Sequence, residues 1–248
     1  MGKARLVLTC YEIVVEQSNS IERVKAIDML SFPTLLLKSN MYLFAENRHG
    51  IIIDPYFDEA LFSQIHAAAK QIDYIILTHE HYDHISGTNA LRKRFGCPVL
   101  CSDACAARIK DPVANLSHYF NAYAQMQTGE PITDDILLTE DYVTYADATF
   151  AGRMTLDWQG HRLELTETPG HSPGSICILL DGTFLFSGDT LLPSGKAMTR
   201  FPGGNSRQYR EKAIPYLRSL PPDTTVYPGH YEAFRLGDHP DYSNKQSF

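Results

Sequence analysis

Four times along this chain a short apolar run breaks off into histidine or aspartate, and at three of those ends a glycine comes just before it. The first break is the densest. After Asp73-Tyr74-Ile75-Ile76-Leu77-Thr78, which reads as a short buried strand, His79-Glu80-His81-Tyr82-Asp83-His84 brings three imidazoles and the Asp83 carboxylate into six residues. Neutral imidazole nitrogens and carboxylate oxygens suit zinc and similar borderline divalent ions. On a loop leaving a strand, His79 and His81 can point to one side while Asp83 and His84 turn to the other, enough to serve two ions. The later breaks are Pro169-Gly170-His171, Ser187-Gly188-Asp189 and Pro228-Gly229-His230, where glycine lets backbone approach closely.

The rest of the chain supplies strands and helices in an order that can carry such loops. Thr34-Leu35-Leu36-Leu37 and Met41-Tyr42-Leu43-Phe44 read as strands, and a turn at Asn47-Arg48-His49-Gly50 leads into Ile51-Ile52-Ile53. Residues 58–70 have helical spacing, with Asp58 placed to cap. Asn89–Phe95 and Asp103–Lys110 read as helices around a strand at Pro98–Cys101, which gives an alternating first half. Met154–Trp158 and Arg162–Leu165 flank a Gln159-Gly160 turn, and Ile176–Leu180 and Phe184–Phe186 flank Asp181-Gly182, so two hairpins are expected. Residues 206–219 look helical, and Thr225-Val226-Tyr227 reads as a strand.

Two β-rich halves, each followed by helices, imply an α/β fold: an αββα sandwich of two mixed sheets with helices on the outer faces, residues 1–248 forming one domain. Residues 1–30 stand ahead of this plan as an N-terminal extension expected to add an edge strand. Residues 112–135, with Tyr119, Phe120, Tyr123 and Met126 clustered, are expected to cover the site as a lid.

Composition narrows the partners. Net charge is −7 with no dense Lys/Arg run, so nucleic acid is excluded as a partner on electrostatic grounds. No stretch of about 20 apolar residues could span a bilayer, and Met1-Gly2-Lys3-Ala4 opens no secretory leader, so no membrane is expected and the cytoplasm is the expected compartment. A small molecule is the expected partner; the oligomeric state stays open. Cys10, Cys97, Cys101, Cys105 and Cys177 contain no C-x-x-C pair and read as reduced and structural, strand geometry spreading the middle three apart. His49, His66, His118, His161 and His239 lie in no motif and are expected at the surface.

The series H-x-H-x-D-H, P-G-H, S-G-D-T and P-G-H resembles the metallo-β-lactamase superfamily over roughly residues 34–235. The resemblance implies that His79, His81 and His171 hold one metal ion, that Asp83, His84 and His230 hold a second, and that Asp189 bridges them. Two divalent ions, zinc foremost with iron or manganese as alternatives, would share a water and lower its pKa. Asp83 would also orient that nucleophile. Leu185–Leu192, Phe201-Pro202-Gly203-Gly204-Asn205 and Val226–His230 look most like the glyoxalase II-like group, which hydrolyses glutathione thioesters. A small thioester is therefore the expected substrate, with a lactone, or persulfide oxygenation at a single iron, as alternatives. Lys196 and Arg200 are candidates for binding a substrate carboxylate, and Tyr119 and Tyr123 for walling the pocket.

Overall fold

The two-residue turn Asn47-Arg48 has positive φ at both positions, 51° and 68°, and so joins its flanking strands in the tight turn that matches strand twist. Those strands are Asn40–Glu46 and His49–Ile53 in a computed structural model that describes residues 9–10, 14–17, 20–23, 28–34, 37–129, 131–133, 137–193, 195 and 197–243. The first sheet draws on β1 (Thr9–Cys10), β4 (Asp28–Pro33), β5 (Asn40–Glu46), β6 (His49–Ile53), β7 (Gln71–Ile76), β8 (Val99–Ser102) and β9 (Ala148–Phe150), hydrogen-bonded in that order. From β6 to β9 the strands are parallel. Parallel neighbours need crossovers, supplied by α1 (Glu59–Ala68), α3 (Thr88–Phe95) after the single turn α2 (Tyr82–Ile85), α4 (Asp103–Arg108) and α5 (Phe120–Thr128). Asp58 caps α1 by accepting from the Leu61 amide at 2.6 Å.

The second sheet runs β10 (Arg153–Trp158), β11 (His161–Glu167), β12 (Ile176–Leu180), β13 (Phe184–Gly188), β14 (Thr225–Pro228) and β15 (Phe234–Arg235). Both expected hairpins form, on turns whose central residues, Gln159-Gly160 and Asp181-Gly182, all have positive φ. Between β13 and β14 the chain crosses over through α6 (Ser206–Gln208), a π-helical stretch Tyr209–Ala213, and α7 (Ile214–Ser219).

Strand alternation sorts the core into three layers. Tyr42, Phe44, Ile51 and Ile53 face Leu163, Leu165, Ile178 and Phe186 between the sheets. Leu43, Ile52, Ile75 and Val99 point the other way and pack under α1 and α4 with Ile65 and Cys105. Leu179, Leu185 and Val226 do the same under α7 with Leu217. Each such aliphatic side chain contributes about 1.5–3 kcal/mol on burial, so displacing either sheet would cost many of these at once. The layers are helix, sheet, sheet, helix, as expected. Among the described residues no helix is long and apolar enough to cross a membrane.

Four expectations need correction. The strand assigned to Thr34–Leu37 lies earlier, at Asp28–Pro33, because Leu37 and Lys38 take positive φ (53° and 57°) in a turn; Leu35 and Leu36 lie outside the described residues. A boundary at residue 30 cuts through β4, which pairs with β1 at the edge of the first sheet; among the described residues β2 (Val14–Gln17) and β3 (Ser20–Arg23) pair with each other. Cys101 and Cys105 are neighbours in one core cluster rather than spread apart, since β8 passes straight into α4. His161 and His239 are buried, not superficial: His161 Nδ1 meets Asp181 Oδ2 at 2.6 Å and His239 Nε2 meets the Leu192 carbonyl at 3.0 Å.

Candidate metal centre

The C-terminal ends of β7, β11, β13 and β14 open on one rim of the sandwich, where each strand hands over to a loop carrying a histidine or aspartate. The rims of the two sheets are joined by backbone hydrogen bonds, Ile176 N–H to Thr78 O at 2.8 Å and Asn40 N–H to Gly229 O at 2.7 Å. Two donor sets form there. His79, His81 and His171 offer nitrogens within 4.8 Å of one another, and so do the ligand atoms of Asp83, His84 and His230. Asp189 reaches both: its Oδ1 lies 3.5 Å from His84 Nε2, and its Oδ2 lies 3.5 Å from His230 Nε2 and 3.6 Å from His171 Nε2.

Hydrogen bonds at the far nitrogens fix which ring atoms face inward. His79 Nδ1 meets Thr78 Oγ1 at 3.0 Å, His84 Nδ1 meets Asp54 Oδ2 at 2.9 Å, and His171 Nδ1 donates to the Met198 carbonyl at 2.9 Å. Each therefore turns Nε2 toward the centre. Asp54 also lies within ligand distance of His79 and His84. Its oxygens are already engaged, Oδ1 by the Thr78 amide at 2.7 Å and Oδ2 by the Thr78 hydroxyl at 2.6 Å and by His84, so it acts behind the donors rather than among them.

Burial pulls His79, His81 and His171 well or clearly below the ordinary imidazole range, which keeps them neutral and able to donate a lone pair. The other set behaves differently. Burial also pulls on His84 and His230, but the Asp83 and Asp189 carboxylates outweigh it and lift them to about 9 and about 11. In return Asp83 and Asp189, which burial alone would raise, are held below the carboxylate range by those imidazoles.

The donor set fits a pair of ions. His79 Nε2 and Asp189 Oδ1 are buried without a hydrogen-bond partner, a costly arrangement for polar atoms unless a cation meets them, and His81 presents Nδ1 only 2.9 Å from the inward-facing His171 Nε2. The backbone is shaped for the same purpose: a Cβ on Gly229 would stand 2.2 Å from Asp189 Oδ1 and 2.8 Å from His84 Cε1. Only glycine lets the strand end come this close.

All seven residues singled out as metal donors converge. The substrate candidates fare unevenly. Tyr123 packs against Phe201 at 5.9 Å between ring centroids, and Phe201 in turn packs on His81 at 5.6 Å and His171 at 5.9 Å. Tyr119 stands one ring further out, 6.2 Å from Tyr123 and 43% exposed. Within the same segment Phe120 is buried against Tyr82, while Met126 is exposed. Arg200 is exposed and makes no hydrogen bond or ion pair among the described residues, and Lys196 lies outside them. Sequence reasoning misses Asp54, Thr78 and Phe201 as site residues. Asp54 follows Ile51-Ile52-Ile53 as the donors follow their own apolar runs, so the strand-end signal extends to it.

Residues 35–230 match the family model of the metallo-β-lactamase superfamily. The chain belongs to that superfamily. Within it, the chain is 28% identical to a probable metallo-hydrolase of Methanocaldococcus jannaschii, over 86% of this chain and 100% of that one. It is 26% identical to a hydroxyacylglutathione hydrolase of Acidiphilium cryptum, over 79% of this chain and 65% of that one. Among solved superfamily structures, the B3 metallo-β-lactamase BLEG-1 superposes with a TM-score of 0.72 at 27% identity, covering 87% of this chain and 100% of the other. The chain is a metal-dependent hydrolase of this superfamily.

Proposed function

We propose that this hydrolase cleaves small thioesters at two divalent ions, zinc foremost. His79, His81 and His171 hold the first ion, Asp83, His84 and His230 the second, and Asp189 reaches both. The observation that carries this reading is the position of Asp189, within 3.6 Å of imidazoles from each set. Divalent ions held there would supply an acidified water as nucleophile and a Lewis acid for the substrate carbonyl.

The chain's own groups do the remainder. Asp83, only 12% exposed at its side chain, lies 3.4 Å from His230 Nε2 and 3.5 Å from His84 Nε2, where its carboxylate orients the attacking water and holds the proton that water gives up. Asp54, through Thr78 and directly, keeps His79 and His84 turned inward. Phe201 lines the approach beside His81 and His171, and Tyr123 closes over it from the segment 112–135, which keeps bulk water from one side of the reacting carbonyl. Exposed and unpaired among the described residues, Arg200 is free to meet a carboxylate on the substrate. The similarity to a hydroxyacylglutathione hydrolase supports a thioester over other electrophiles.

Thioesters, lactones, phosphodiesters and β-lactams assayed side by side, with metal content measured on the same preparation, test this. The expected result is two ions per chain and the highest kcat/KM on thioesters. A faster rate on any other class, or a single iron with oxygen uptake, overturns it.

A further inference from the structure

Glu80 stands between two donors but faces away from them. In an extended loop successive side chains alternate, so when His79 and His81 point at the centre the residue between them points into the protein. There its carboxylate is wholly buried. A lone buried carboxylate costs several kcal/mol, and this one is matched by three donors. Arg108 Nε donates to Oε1 at 2.6 Å, while Ser172 Oγ and the Gly174 amide donate to Oε2 at 2.8 Å and 3.2 Å. The packing leaves no slack: a Cβ on Gly174 would fall 2.4 Å from that oxygen.

These contacts join parts of the chain that must agree for a first ion to bind. Ser172 follows His171, so Glu80 ties the loop of two donors to the loop of the third across 92 residues of sequence. Arg108, at the end of α4, carries the tie further. Its Nη2 donates at 3.2 Å both to the Ala114 carbonyl, at the start of the covering segment, and to the Pro202 carbonyl beside Phe201.

We propose that Glu80 and Arg108 are positioning residues that hold His79, His81 and His171 in the register a first ion requires and couple that register to the segments bearing Tyr123 and Phe201. Neither is one of the donors. Their effect is confined to one donor set, because among the described residues Asp83, His84 and His230 make no hydrogen bond or ion pair with Glu80 or Arg108.

The test uses the full-length protein loaded with zinc and titrated with a competing chelator. Signals of 15N-labelled histidine rings assign each release step, since one set holds three imidazoles and the other two. In Glu80→Gln and Arg108→Met the ion of the three-histidine set should be released at about 10- to 100-fold lower chelator, the range typical of groups that orient metal ligands, with the other ion unchanged. Arg108→Lys, which keeps a cation within reach of Glu80, should recover most of the loss. Ser172→Ala removes a single hydroxyl donor and gives the same selective loosening if the larger changes prevent folding. Lower melting temperature with wild-type retention of both ions would mean a purely structural pair and overturns the proposal, as does equal loosening of both ions. The inference rests on the two-ion reading: failure of the unaltered protein to hold two ions would sink that reading, whereas two ions with unselective variants would sink only this one.

Discussion

Asp54→Asn is the sharpest probe of the centre, because one carboxylate serves an imidazole in each donor set. The substitution is nearly isosteric, and the oxygen of the new side-chain amide can still accept from the Thr78 backbone amide, now 2.7 Å from Oδ1. The new nitrogen then stands where Oδ2 accepts from the Thr78 hydroxyl at 2.6 Å and from His84 Nδ1 at 2.9 Å. An amide nitrogen donates, so the roles reverse. His84 Nδ1 becomes the acceptor and its proton moves to Nε2, the atom aimed at the centre; the Thr78 hydroxyl turns to His79 Nδ1, and that ring shifts its proton inward too. Each ion should lose about 10- to 100-fold in affinity, or about 1.4–2.7 kcal/mol. Chelator competition on the zinc-loaded protein measures both constants, and a melt of the metal-free protein measures the cost to the fold. Retention of either ion within about twofold of the unaltered protein would refute the relay, since the argument makes Asp54 common to both.

Asp83→Asn should lower kcat by about two to four orders of magnitude, the span of acid–base assistance, with a much smaller change in melting temperature; near-normal turnover on a metal-loaded variant would remove Asp83 from the chemistry. Arg200→Ala should raise KM about two- to fivefold for thioesters carrying a carboxylate and leave neutral ones alone, as suits an exposed ion pair; equal effects on both classes would show Arg200 to be solvated only. Asp181 gives a pH prediction at the opposite end of the sheets. Burial would raise its carboxyl, but His161 and the Arg162 amide hold it below the ordinary range. A depressed carboxyl stabilises the fold above the unfolded value of about 3.9 and loses that contribution as pH falls through the lowered value. Asp181→Asn should therefore destabilise the protein at pH 7 and converge with it at strongly acid pH; a gap independent of pH would contradict this.

The donors were legible because each sits at a break in an apolar run, a signal carried by a few adjacent residues. The helices and hairpins were legible for the same local reason: Asp58 caps its own helix, and Asp181-Gly182 turns its own strands. Partnerships that span the chain were not. Nothing near Glu80 announces Ser172 or Arg108, and nothing near His161 announces Asp181, so the buried carboxylate drew no role and the buried imidazole read as a surface one. Leu37 misled because an apolar residue in a turn looks the same in sequence as the end of a strand.

The placement of donors on strand ends from both sheets also sets a timetable for synthesis. Ribosomes release about 5–20 residues each second, and domains generally fold as units. His81 emerges 90 residues before His171 completes its set, and His230 follows 146 residues behind His84. A nascent chain thus presents both donor sets incomplete for several seconds, and neither can hold an ion at full strength until the second sheet has docked on the first.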